Sequence, residues 1–303
     1  MLKKIIIWAA AVVITLAAVV YQRYTGPTNP KRIEFKLKDS TYNVKLDRSS
    51  GENNSMGHPG SNDARIKLKI HNTDVTAKIY YRKYNSKAEW ISVDFERYQR
   101  KMDSWFMNKI LGIYEVKGLI AKLPQQPPAG KLEYYVEVND GDEVAILKKE
   151  NPIVIRFKAG VPGIFMVPHI IIMFLAMFLS TLTGLMVIGK IKKQKFYAGL
   201  TLIFLTLGGM ILGPIVQKYA FGDLWTGVPF GWDLTDNKTL IAFIFWVVAV
   251  VANRKKERPY LILIASLVLF AVYTIPHSLF GSELDYTTGK VVQGFIQTFF
   301  RIF

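Results

Sequence analysis

The sequence predicts a membrane protein: an N-terminal anchor helix, an extracytoplasmic antiparallel β-sandwich, then an α-helical bundle of four transmembrane helices. Three observations carry the prediction. The apolar residues gather in five runs, residues 5–20, 164–188, 197–216, 240–252 and 260–275, read as membrane helices. The run 240–252 alone covers only about 20 Å of a core roughly 30 Å thick, so the turn before it is expected to sit deep. Between the first and second runs the composition is that of a soluble domain, and apolar residues alternate with polar ones, the period of half-buried strands. The basic residues Lys3 and Lys4, then Lys190, Lys192, Lys193 and Lys195, then Arg254, Lys255, Lys256 and Arg258 alternate correctly along five spans. The positive-inside rule then places all three groups in the cytoplasm.

Four parts follow: an anchor and linker (1–29), the extracytoplasmic domain (30–160), the four-helix bundle with a re-entrant-like loop at 219–239 (161–280), and a C-terminal amphipathic helix (281–303). The expected location is a bacterial-type inner membrane, multi-pass, with the N-terminus cytoplasmic and the domain and C-terminus extracytoplasmic. The lipid bilayer is thus the first partner. The formal net charge of +16 does not imply nucleic acid, because the basic residues that set topology account for much of it and the rest alternate along strands. No cysteine is present, which excludes disulfides, thiolate metal sites and c-type haem attachment.

Residues 1–21 have the charged start and apolar run of a secretory signal. No small-x-small cleavage site follows Val20, so an uncleaved anchor is expected, with a cleaved signal as the alternative. In the domain, Ile33, Phe35 and Leu37 alternate with Arg32, Glu34 and Lys36. Ile66, Leu68 and Ile70 alternate with Arg65, Lys67 and Lys69, and Val75, Ala77, Ile79 and Tyr81 with Thr76, Lys78 and Arg82. Further strands are expected at 90–95, 114–123, 132–138 and 153–157, a number that suits a sandwich. The segments VTAKIYYRKYNSKAEWISVDFE and YEVKGLIAKLPQQPPAGKLEYYVEVNDGDEV resemble the middle and end of a fibronectin type III or immunoglobulin-like domain. That resemblance covers residues 76–158 and implies a domain that binds or spaces and seldom catalyses.

Two stretches depart from a plain sandwich. The Gly/Ser/Asn-rich loop 49–64 holds Glu52, His58 and Asp63, three metal-binding residue types, but glycine-rich polar loops are as a rule solvated connections, and no metal site is read from it. Residues 96–113 suggest a partly helical insertion in which Trp105, Phe106 and Met107 form either a contact patch or core.

In the bundle, His169, Met173, Met177 and Ser180 share one face of the second span. They form either a packing seam or a ligand-bearing stripe. His277 ends the fifth span in the same leaflet, and intramembrane histidines are candidate sites by default. The two imidazoles suit haem b or the border of a quinone pocket; otherwise each satisfies carbonyls freed by a neighbouring proline. The loop 219–239 concentrates turn residues, Trp225, Phe230 and Trp232 at a headgroup level, and Asp233, Thr235, Asp236, Asn237 and Lys238 at its end. Asp236 is the expected N-cap of the next helix. These polar residues either cap it and tie up the turn, or form a ligand site.

No Walker loop, dinucleotide fingerprint, GxSxG elbow or HExxH is present, so ordinary hydrolase, ATPase and dehydrogenase chemistry has no motif to rest on. The expectation is a non-catalytic integral membrane subunit or accessory protein of a membrane complex. It would bind a protein or envelope partner through the domain and C-terminal helix. The alternatives are a redox membrane subunit using His169 and His277, and a small permease.

Overall fold

The structure is a computed structural model and describes residues 1–51, 63–101, 109, 115–276, 283–289 and 291–292. The chain forms two units, residues 28–158 and residues 1–27 with 159–303.

The first unit is all β. Strands β1 (Lys31–Leu37) and β2 (Ser40–Leu46) form a hairpin. Next come β3 (Ser49–Gly51), β4 (Ala64–Leu68), β5 (Thr76–Lys83), β6 (Ile91–Asp94), β7 (Glu96–Lys101), β8 (Glu115–Leu123), β9 (Lys131–Asp140), β10 (Glu143–Leu147) and β11 (Ile153–Lys158). One sheet has the order β3-β11-β9-β5-β6, with β10 also pairing β9; a second has the order β4-β8-β7. All pairs are antiparallel except β3 with β11.

Alternation decides what faces inward. In β4, Ala64, Ile66 and Leu68 are buried while Arg65 and Lys67 are exposed. Buried residues from both sheets and from the β1–β2 hairpin meet in one core, among them Leu46, Ile66, Ile79, Leu119, Tyr134, Val136 and Ile155. Residues 96–101 are strand, not the helical start of an insertion. Arg97 reaches from this strand to the carbonyls of Asn72, Thr73 and Val75 at 2.8, 2.5 and 2.7 Å, and the backbone pairs along β8. Residues 102–108 and 110–114, with Trp105, Phe106 and Met107, lie outside the described residues. Buried Phe95 separates β6 from β7, its N–H donating to the Ala77 carbonyl at 2.9 Å. There the chain leaves one sheet for the other.

The second unit is helical: α1 (Leu2–Thr25), α2 (Gly163–Ile188), α3 (Gln194–Leu205), a π-helical segment (Thr206–Leu212), α4 (Gly213–Phe221), α5 (Leu234–Lys255) and α6 (Pro259–Thr274). By length and composition α1, α2, the continuous Gln194–Phe221 and α5 are long and apolar enough to cross a membrane. At 16 residues, α6 falls short of the roughly 20 a full span needs. Trp246, Ala176, Ala198, Ala242, Ala249, Ile262 and Ala265 are among the buried residues between the helices, and Ile7 and Ala11 of α1 pack with Leu182 and Met186 of α2. Small residues set the closest approaches: a Cβ on Gly184 would lie 2.8 Å from the Ser266 Cβ, and the Ser266 hydroxyl donates to the Ser180 carbonyl at 2.8 Å.

The expected C-terminal helix is not what the described part of 281–303 forms. Glu283–Leu284 (β12) pairs antiparallel with Val291–Val292 (β13). Two β-branched valines favour the pleated geometry, and the turn is built for it: Asp285 accepts from Thr287 N at 2.8 Å and Thr288 Oγ1 at 2.9 Å. Those bonds hold the half-buried Asp285 carboxyl below its ordinary value. Residues 293–303 lie outside the described part.

Candidate functional site

Helix direction alternates along the bundle, so the N-terminal ends of α2 and α5 and the C-terminal ends of α1, α4 and α6 meet at one end. Most of the polar side chains singled out from sequence are found there. The N-cap of α5 is Asp233, not Asp236. Its carboxylate accepts from Thr235 N at 2.7 Å and Asp236 N at 3.3 Å, satisfying donors that a helix start leaves open.

Asp236, one turn into the helix, points back at the loop. Its Oδ2 accepts from Thr226 N at 2.6 Å, Thr226 Oγ1 at 3.0 Å and Gln217 Nε2 at 3.0 Å. Asn237 Oδ1 accepts from Val228 N at 2.7 Å, Thr226 O from Asp233 N at 3.0 Å, and Val228 O from Trp225 Nε1 at 3.1 Å. Between them, a Cβ on Gly227 would come within 2.7 Å of the Asp236 Cβ and 2.8 Å of Asn237 Oδ1. Only glycine lets the loop approach this closely. Trp225 is half-buried, while Trp232 is 63% exposed.

Lys238 is 4% exposed. Its ammonium donates to the Ile275 carbonyl at 2.8 Å and the Pro276 carbonyl at 3.4 Å. These carbonyls lie at the C-terminal end of α6, where helical acceptors lack intrahelical donors and a cation is favoured. The start of α5 is thereby tied to the end of α6.

His169 Nδ1 lies 3.0 Å from the Gly208 carbonyl. A carbonyl only accepts, so Nδ1 carries the proton and, in the neutral ring, Nε2 holds the lone pair. Gly208 belongs to the π-helical segment, where glycine also admits α2: a Cβ there would lie 2.8 Å from Met173 Sδ. The Met173 carbonyl accepts from the Tyr273 hydroxyl at 2.5 Å, and the Tyr273 carbonyl accepts from Gln22 Nε2 of α1 at 2.8 Å. Met177 is fully buried. His277 lies outside the described residues, and with it the pairing of the two histidines.

Asp233, Asp236, Asn237 and Lys238 thus come together over the first turns of α5, and His169 and Met173 meet the π-helical segment. Sequence reasoning missed Gln217, Thr226, Tyr273 and Gln22. Gln217 carried a signal, as a lone amide where an apolar span ends; the other three are identified by long-range hydrogen bonds alone. Among the described residues no group of three or more His, Asp or Glu is placed to hold a metal ion. Asp63 accepts from Gln125 N at 3.0 Å, while Glu52 and His58 lie outside the described residues.

The β unit carries a second concentration of functional groups. On one face of β5 and β9, Tyr80 and Tyr135 stack with centroids 4.7 Å apart, and Trp90 meets Tyr135 edge-on at 4.9 Å. Arg82 Cζ lies 4.3 Å over the Trp90 ring, and Arg82 Nε bonds Glu133 at 2.5 Å. Val144 and Ile146 of neighbouring β10 are exposed. Across the core, the Tyr134 hydroxyl donates to the Asp47 carbonyl at 2.7 Å; burial, with the Asp47 carboxylate nearby, pushes that hydroxyl well above its ordinary value.

No protein family, curated protein or solved structure matches the chain.

Proposed function

We propose that the chain is a multi-pass inner-membrane protein without catalytic chemistry of its own, an accessory subunit that holds a protein partner on the extracytoplasmic side. The observation that carries this reading is the use made of the polar side chains at the end of the bundle. The Asp233, Asp236 and Asn237 side chains each accept loop or cap N–H groups, and Lys238 closes the end of α6. Groups that could have done chemistry serve as scaffold.

The β unit fits the role as an immunoglobulin-like sandwich. In support, the sheet orders β11-β9-β5-β6 and β7-β8-β4 run as G-F-C-C′ and D-E-B do in that fold. The chain departs from it in having no inter-sheet disulfide and in sending the buried tyrosine hydroxyl to a carbonyl 87 residues earlier. The face with Trp90, Tyr80, Arg82, Val144 and Ile146 mixes aromatic, cationic and apolar groups as protein interfaces do. A photocrosslinking amino acid at Ile146 in cells should capture one protein of defined mass. The same group at exposed Lys122 of β8 should capture none; equal or absent capture at both positions would sink the partner reading.

A second reading rests on His169. Its Nδ1–H is held by a backbone carbonyl, the arrangement that fixes the tautomer of a metal-ligating imidazole and turns Nε2 outward as the ligand. A haem b shared with His277 would give a Soret band lost in both His169→Ala and His277→Ala. Colourless protein from cells supplied with haem would eliminate it.

A further inference from the structure

Residues 222–232, between α4 and α5, are built inside out. A loop in water turns polar side chains outward and apolar ones inward. Here Thr226 faces the helix ends and bonds Asp236 and Gln217, while Leu224, Val228, Phe230 and Trp232 are 50%, 42%, 81% and 63% exposed. The backbone cannot simply fold these side chains away. Thr226 N, Val228 N and Trp225 Nε1 are all bonded, and the N–H groups of Phe230 and Gly231 both donate to the Gly227 carbonyl at 2.9 Å.

We propose that this loop is a rigid wedge seating Leu224, Val228, Phe230 and Trp232 at the headgroup–acyl boundary of the lipid leaflet around the polar end of the bundle. The proposal rests on the membrane reading above. Lipid is the occupant because exposed apolar side chains continue beyond the loop onto Tyr219 of α4, Ile164 and Val167 of α2, and Ile241, Ile244 and Phe245 of α5. In that reading these are the surfaces lipid covers. Tryptophan is a side chain that prefers this boundary, and exposed Lys218 in the last turn of α4 supplies a cation at the phosphate level.

The chain contains no cysteine, so single-cysteine variants can be labelled without background. Full-length Phe230→Cys and Trp232→Cys, carrying an NBD probe and reconstituted into phosphatidylcholine/phosphatidylglycerol vesicles, should emit blue-shifted light and be protected from iodide. Shallow-doxyl lipid should quench them more than deep-doxyl lipid. Adding Asp236→Ala should shift both probes toward water, as the frame behind them is released; unchanged emission would refute the rigid frame. A probe at Phe245 separates the two layers of the argument. If it is quenched by deep-doxyl lipid while the loop probes emit as in water, the wedge alone is overturned; if all three emit as in water, the membrane reading falls with it. Loop probes that leave water only on addition of a protein fraction would overturn the choice of lipid.

Discussion

The β unit and the helical unit differ in how much of the interior is small residues and in what they leave outside. In the β unit the interior is Leu37, Ile66, Ile79, Leu132 and Tyr134, large side chains at alternate positions, and the lysines between them are outside. In the helical unit the interior includes Ala176, Ala198, Ala242, Ala249, Ala265, Thr183 and Thr201, while Ile170, Ile171, Ile244, Phe245, Val248 and Leu267 are exposed. Large side chains are hidden in both, Trp246, Leu205 and Ile262 among them in the helical unit, but alanine, glycine and threonine make up a larger share of what the helices hide. Water drives large apolar groups inward. Lipid gives no such drive, and helices in it associate where small residues let backbones approach and hydrogen bonds form. This difference supports two solvents for one chain.

The most damaging test of the contrast is a pair of truncations. Ile79→Ala, in the β core, should cost about 2–5 kcal/mol. Ile244→Ala, exposed on α5, should stay within about 0.5 kcal/mol of the parent in detergent or lipid. Thermal unfolding of the full chain, followed by tryptophan fluorescence, measures both. Equal losses would mean that Ile244 is covered by protein and that the difference is only apparent.

Enlarging a small interior residue attacks the other side. Gly184→Val drives a side chain into Ser266, and overpacking of this kind costs about 1–3 kcal/mol. The same substitution combined with Ser266→Gly should recover part of the loss, because it removes the atoms that a Cβ would meet. If the double variant melts no higher than the single one, close α2–α6 approach is not what stabilises this part of the bundle.

The contrast also explains what was legible in the sequence. Strands such as β4, β5, β8 and β9 declare themselves by period two because one side must be apolar. β7 does not: ERYQRK has one apolar residue, Tyr98, and its pairing with β8 decides it. Asp233 and Asp236 both look like caps, and the choice depends on Thr226, ten residues before Asp236 in sequence and bonded to it in space. Gly208, Gly209 and Pro214 read from sequence as packing or kink residues, but nothing local specifies that the Gly208 carbonyl will take the His169 N–H. Spans, strands and topology signals are local and periodic; the polar end of the bundle is written in long-range partners.

Smaller effects sharpen the comparison inside the β core. Tyr134→Phe keeps the ring and leaves the Asp47 carbonyl without this donor, a loss of about 0.5–1.5 kcal/mol. A drop the size of the Ile79→Ala loss would show that the bond positions the β2–β3 corner as well as satisfying it. No measurable change would mean that water replaces the hydroxyl.

The smallest effect is a pH dependence at the same corner, and its sign is fixed. Burial raises the Asp47 carboxyl above its ordinary 3.8, with Lys67 and Lys45 pulling the other way. Between 3.8 and the raised value the folded chain holds the proton more tightly than the unfolded chain, so stability contributed by this group falls as pH rises through that window. Below 3.8 the penalty is absent; above the folded value it is complete. Asp47→Asn should therefore raise the melting temperature of the β unit at neutral pH, and the difference should shrink as acid is added, vanishing once both states of the parent are protonated. Lys67→Ala should do the reverse, deepening the penalty at neutral pH. If Asp47→Asn instead lowers the melting temperature at pH 7, attraction to Lys67 and Lys45 outweighs burial, and this edge of the core is set by charge pairing and not by exclusion of water.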